Sequence, residues 1–185
     1  YEDFLLNDLG YTGFRYDMVK GFAASHIKDY NTAANVPFSV GEYWSGNSAI
    51  SSWIDNTGKT SAAFDFQFRY AVRDAINKGD WSLLGSSQYL VNSNYSNGSY
   101  RRYAVTFVEN HDMQDRGTTS GYTPDPILKD TLAANAFLLA MPGTPCVFLP
   151  HWLDCKADIR RQIALRKLMG IHAESAFQNI QNSPG

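Results

Sequence analysis

Short apolar, β-prone runs alternate along this chain with longer stretches of helical spacing, and that alternation is the strongest constraint on its fold. The runs are Gly13 to Val19, Phe38 to Glu42, Ala62 to Phe66, Tyr103 to Val108 and Cys146 to Leu149. Helices are expected at Ala23 to Ala34, Ser48 to Asp55, Arg69 to Lys78, Pro126 to Met141 and Ala157 to Met169. Leu5, Leu6 and Leu9 mark the end of a further helix, closed by Gly10. Pro126 is placed as the first helical residue because its fixed φ suits that position and its missing N–H is not needed there. Apolar strands separated by helices pair in parallel and join through right-handed crossovers. The class is therefore α/β, and the pattern fits equally a partial barrel or a doubly wound sheet.

A chain of 185 residues can bury one sizeable core, and 44% hydrophobic with 18% charged residues is ordinary globular composition. The formal charge of −2 and the scattered basic residues exclude a nucleic-acid or membrane-surface partner as the main expectation. No run is long enough to span a membrane, and no leader peptide opens the sequence. Cys146 and Cys155 read as two free thiols, one in a buried strand and one in a loop. Asn92 to Tyr100 is rich in Asn, Ser and Gly and reads as loop, with glycosylation sequons at Asn94 and Asn97.

Polar clusters follow three of the strands: Arg15-Tyr16-Asp17, Glu42-Tyr43-Trp44 and Asn110-His111-Asp112. In parallel barrels the C-terminal rim of the strands is where catalytic side chains collect. A single carboxylate after a strand is usually a helix cap or an ion-pair partner. Three at three separate strand ends are harder to explain in that way. Asp65 reads as a structural partner, and Phe64, Phe66, Phe107 and Phe148 as barrel core. His26, His151 and His172 show no partner pattern and read as surface residues.

The motifs themselves resemble those of the α-amylase family, glycoside hydrolase family 13. Gly13-Phe14-Arg15-Tyr16-Asp17-Met18-Val19-Lys20 is similar to its fourth-strand motif, and Gly41-Glu42-Tyr43-Trp44 to its fifth. Phe107-Val108-Glu109-Asn110-His111-Asp112 resembles the seventh-strand motif, and Gly143-Thr144-Pro145-Cys146-Val147-Phe148 the eighth. Their order and spacing agree across nearly the whole chain. The resemblance implies a partial (β/α)8 barrel, about strands four to eight with their helices. It implies a single catalytic domain over 1–185, with 171–185 starting the connection to a further domain. The first three strands, the small projecting domain and the C-terminal β-sandwich have no counterpart in this sequence.

The resemblance further implies retaining hydrolysis of α-1,4-glucosidic bonds in starch or malto-oligosaccharides, with Asp17 as nucleophile and Glu42 as acid/base. Asp112 would steady the developing oxocarbenium ion, with Arg15, Lys20, Trp44 and His111 binding substrate or orienting the acids. Trp44 is equally readable as a sugar platform or as packing beneath the acid. Family calcium is not expected here, because most of its ligands are absent and the carbonyl at Gly21 alone cannot hold the ion. Secretion or a periplasmic location is the family expectation. Two uncovered sheet edges predict a homo-oligomer. The other readings are an α-glucosidase or transglycosylase of the same family, and a non-catalytic or weakly active glucan-binding fragment.

Overall fold

A computed structural model describes residues 1–92, 100–114 and 124–177. Five short parallel strands form one sheet in chain order: β1 Phe14–Tyr16, β2 Ser39–Gly41, β3 Ala62–Phe64, β4 Ala104–Thr106 and β5 Thr144–Pro145. The register sets Arg15 beside Val40, Gly41 beside Ala63, Phe64 beside Val105 and Thr106 beside Pro145. Strand order that never doubles back is the order of a barrel, not of a doubly wound sheet, which resolves the ambiguity left by the sequence pattern.

Helices connect successive strands and cover the outer face. They are α1 Glu2–Asn7, α2 Ala24–Ala33, α3 Asn47–Asn56, α4 Phe66–Lys78, α5 Leu83–Ser86, α6 His111–Gln114, α7 Thr131–Ala140, α8 Leu149–Asp154 and α9 Lys156–Leu168. The main core lies between these helices and the sheet. Ile50, Trp53 and Ile54 of α3 share one buried cluster with Phe66, Phe68, Val72 and Ile76 of α4 and Leu138 of α7. Burial of such side chains, each worth about 1.5–3 kcal/mol, is the main force holding helices to sheet. Arg166 of α9 is buried and donates to the carbonyls of Leu139 and Gly143, both at 2.9 Å. It thereby satisfies carbonyls around the end of α7 that have no intrahelical partner.

Several expectations need correction. The helix expected from Pro126 begins only at Thr131. Asp130 is left-handed at φ 50°, and the N–H groups of Ile127 and Leu128 donate to the Glu109 and Asn77 side chains, so this segment is held as a loop. The run Cys146 to Leu149 is not a strand: β5 ends at Pro145, and Leu149 opens α8, with Pro150 accommodated in its first turn. Cys146 is exposed just past the end of β5, not buried; both thiols are free as expected. The third strand stops at Phe64, because the Asp65 side chain accepts the Phe68 N–H and starts α4 there. His151 is buried and pairs with Asn135 at 3.2 Å, so it is not a surface residue. His26 and His172 are exposed.

Gly143 donates to the Ala173 carbonyl at 3.0 Å, and Arg101 donates to the Ser175 carbonyl at 3.1 Å. Residues 173–177 thus return to the N-terminal side of β4 and β5; the rest of the expected connection, and both sequons, lie outside the described residues.

Candidate active site

Arg15 and Asp17 are two residues apart on an extended chain, so their side chains leave on one face. Arg15 sits within β1 and Asp17 just beyond its end. The chain then turns sharply at Met18, which is left-handed at φ 42°. That turn aims the Met18 N–H at Glu42 Oε2, 3.0 Å away, while Val19 N–H donates to the Glu42 carbonyl at 3.3 Å. Glu42, the first residue past β2, is gripped by the β1 turn at both its side chain and its backbone.

One guanidinium gathers the two acids. Arg15 Nη1 lies 2.8 Å from Asp17 Oδ1, and Nη2 lies 3.4 Å from Glu42 Oε2. The environments of the acids differ sharply: the side chain of Asp17 is 70% exposed and that of Glu42 only 8%. A hydrogen bond shared with the Glu42 carboxyl holds the Asp17 carboxyl below the usual carboxylate range, helped by the Arg15 hydrogen bond and charge. A carboxylate held ionised beside a second, buried carboxyl group is the arrangement that lets two like residues take different roles.

The third acid arrives from β4. Past Thr106 the chain stays buried through Phe107, Val108 and Glu109. Asn110 Oδ1 then accepts the N–H groups of Asp112 at 3.0 Å and Met113 at 3.1 Å, starting α6. Asp112 is buried, and its Oδ1 lies 3.3 Å from Nε2 of the exposed His111. In a flat sheet β1 and β4 would stand roughly 14 Å apart, three strand spacings. Here Arg15 of β1 and His111, beyond β4, line one cavity, and His111 adds the smallest part to the lowering of the Asp17 carboxyl.

The concave face encloses a cavity of about 320 Å³. Arg15, Glu42 and His111 line it on the polar side, with Phe64, Phe107 and Phe148 among its apolar walls. Phe64, Phe66 and Phe107 belong to the core as expected and also line the cavity; Phe148 is half-buried, outside the core, and lines the cavity only. Phe64 and Phe66 each meet Phe107 edge-on, with centroids 5.5 and 5.2 Å apart.

Asp17, Lys20, Trp44 and Asp112 do not line this cavity. Lys20 Nζ donates to the Trp44 carbonyl at 3.1 Å and sits over the Tyr43 ring. The Trp44 indole stacks on Phe66 at 5.1 Å and donates to the Tyr70 hydroxyl at 2.7 Å. The ring thus packs against α4 rather than against Glu42. Asp65 is a structural partner, as expected: fully buried, it accepts the N–H groups of Phe68 and Val91, and burial pushes its carboxyl up to about 6.

Sequence reasoning missed Glu109, Arg69 and Asp125. Arg69 Nη2 lies 3.3 Å from Glu109 Oε1 and Nη1 2.6 Å from Asp125 Oδ2, with Arg69 and Glu109 both buried. The signal was present: Arg69 falls on the same helical stripe as Phe66, Val72 and Ile76, where an arginine requires a buried anion. Calcium needs six or more oxygen ligands. Among the described residues no three His, Cys, Asp or Glu side chains converge to hold a metal. No described helix is long and apolar enough to cross a membrane.

Residues 12–151 match the family described as alpha amylase, catalytic domain. The chain is 34% identical to probable alpha-amylase 2 of Arabidopsis thaliana, over 96% of this chain and 46% of that protein. It is 32% identical to alpha-amylase 3, chloroplastic, of the same plant, over 97% of this chain and 21% of that one. Against the glucan 1,4-alpha-maltotetraohydrolase of Stutzerimonas stutzeri the figure is 32%, covering 94% and 33%. The chain spans less than half the length of each of these relatives.

Proposed function

Because the chain belongs to the α-amylase family through its catalytic domain, we propose that it acts on α-1,4-glucosidic bonds of starch and related glucans by a retaining mechanism. The carrying observation is the pairing of Asp17 and Glu42 on Arg15, with Asp17 held ionised and Glu42 buried at the cavity wall. Retaining chemistry requires two carboxyl groups about 5–5.5 Å apart, one as nucleophile and one as proton donor.

In the first step the Asp17 carboxylate attacks the anomeric carbon, the glycosidic C–O bond breaks, and Glu42 gives its proton to the departing oxygen. The product is a glycosyl ester on Asp17. In the second, the Glu42 carboxylate takes a proton from water, whose oxygen attacks the same carbon and releases Asp17. Arg15 keeps the nucleophile ionised and oriented through charge-assisted hydrogen bonds. Asp112 and His111 hold sugar hydroxyls, and they assist turnover to the extent that these contacts tighten as positive charge develops. Lys20 and Trp44 support the rim from outside the cavity. The named relatives, two alpha-amylases and a glucan 1,4-alpha-maltotetraohydrolase, supply the substrate class.

A second reading, glucan binding with weak turnover, is favoured by one feature. The Asp17 side chain is 70% open to solvent, whereas covalent glycosyl transfer profits from a site that excludes water. Hydrolysis of malto-oligosaccharides by wild type, Asp17→Asn and Glu42→Gln separates the readings. Asp17→Asn abolishes turnover, because an amide cannot form the ester. Glu42→Gln is rescued by substrates whose leaving group needs no proton. Activity surviving Asp17→Asn unchanged contradicts the assignment; a wild type that binds glucan without cleaving it selects the second reading.

A further inference from the structure

The turn that carries His111 and Asp112 rests on a buried charge network reaching it from α4. The Arg69 side chain is fully buried. Besides its contacts to the Glu109 and Asp125 carboxylates, it donates to the Asp125 carbonyl. Arg73, one helical turn further, donates to the other carboxylate oxygen of Asp125. Arg73 also pairs with Asp74, and Asp74 with Lys78, so three cations face three carboxylates and the cluster is formally neutral. Stranding any one of these charges would be costly, which is why buried charges occur as satisfied groups.

The network does more than neutralise itself. Glu109 Oε1 accepts the Asn110 N–H at 3.2 Å, and Oε2 accepts the Ile127 N–H at 2.9 Å. Asn110 Oδ1 in turn accepts the N–H groups of Asp112 and Met113. From the opposite side, the Asp125 N–H donates to the Met113 carbonyl at 2.9 Å. One guanidinium therefore reaches residues 110–113 by two short paths, through Glu109 to Asn110 and through Asp125 to Met113.

We propose that Arg69 is a positioning residue of the acid site, which fixes the turn presenting His111 and Asp112 without touching substrate. The role calls for arginine because a planar fork can bridge two carboxylates and a carbonyl at once, whereas an ammonium group is a single point of charge. The kinetic consequence rests on the hydrolysis proposed above; the structural consequence does not.

The test compares Arg69→Lys, Arg69→Met and Glu109→Gln in the full chain, by amide hydrogen exchange and by malto-oligosaccharide kinetics. In Arg69→Lys, exchange at the Asp112, Met113 and Ile127 amides rises by about tenfold or more while that of Val40, Gly41 and Ala63 stays unchanged. The same variant loses about tenfold in kcat with KM held within about twofold, since misplacement of a group needed in the transition state lowers turnover more than binding. Glu109→Gln shows the same local pattern, and Arg69→Met a larger one. Should Arg69→Met fail to fold, the lysine variant still decides. Unchanged exchange at residues 112, 113 and 127, or a uniform rise across the sheet, overturns the assignment, as does an unaltered kcat. A wild type without hydrolysis contradicts the proposed function, and the exchange pattern then decides the role of Arg69 alone.

Discussion

Gly41 is the point where the fold and the candidate site are most tightly joined, and Gly41→Ala perturbs both. The residue ends β2, directly before Glu42, and its backbone pairs with Tyr16 and Ala63. A methyl group there would lie 2.2 Å from Cη2 and 2.7 Å from Cζ2 of Trp53. Trp53 is 4% exposed inside the helix–sheet core, so its ring has no free space to enter. Either the indole leaves its rotamer or β2 moves by about an ångström; overpacking of this kind costs roughly 1–3 kcal/mol. Taking about 2 kcal/mol, the melting temperature of a chain this size falls by roughly 4–8 °C. Movement of β2 carries Glu42 away from Arg15 and the Met18 N–H, and a 1 Å error near reacting groups can cost about a hundredfold in turnover. Urea unfolding of wild type, Gly41→Ala, Trp53→Leu and the double variant measures the effect. The smaller side chain at 53 relieves the clash, so the double variant is more stable than the sum of the single losses predicts. Gly41→Ala within about 0.5 kcal/mol of wild type, or strict additivity in the cycle, refutes the reasoning.

Asp65 and the sheet edges give two further outcomes. Because burial raises the folded-state titration of Asp65 to about 6 from an ordinary 3.8, the folded chain holds its proton more tightly than the unfolded one. Its contribution to stability is therefore present below about pH 4 and lost as pH rises through 6, by about 2–3 kcal/mol. The stability difference between wild type and Asp65→Asn changes by that amount between pH 4 and pH 7 in urea titrations; a pH-independent difference contradicts it. Among the described residues neither outer edge of β1 or β5 is paired. Light scattering is expected to give a mass above the 20.7 kDa of one chain, and a well-folded monomer defeats that expectation.

The strand–helix alternation was readable because apolar runs such as Phe38 to Glu42 and the helical stripe of α4 are written in nearest-neighbour spacing. The motif resemblance supplied strand order, and the sheet runs in the barrel order it implied. Spacing alone left that order open, since register depends on contacts between distant segments. The Pro126 error has the same origin. Proline suits a helix start, but the N–H groups of Ile127 and Leu128 are claimed by Glu109 and Asn77, residues far away in sequence. Asp65 carried a readable local signal, an acid three residues before a donated N–H, which a strand assignment obscured. Arg15, Asp17, Glu42 and His111 were singled out by their motifs; the fold brings Arg15 into contact with Asp17 and Glu42 and sets His111 on the same cavity as Arg15 and Glu42. Trp44 was legible as a residue but not as a role, because whether a ring faces sugar or packs on Phe66 depends on its neighbour. Arg69 was overlooked because its partners lie beyond the end of β4 and in the loop before α7.

The central claim is that Asp17 forms a covalent bond to sugar, and trapping that bond tests it most directly. A malto-oligosaccharide derivative fluorinated beside the anomeric carbon and carrying an activated leaving group slows release of the ester, because fluorine opposes the positive charge of the transition state. Peptide mass mapping after incubation is predicted to find the added glycosyl mass on the peptide containing Asp17, and to find none in Asp17→Asn. Label on Glu42 or Asp112, or turnover of the parent substrate with no trapped ester at all, contradicts the account.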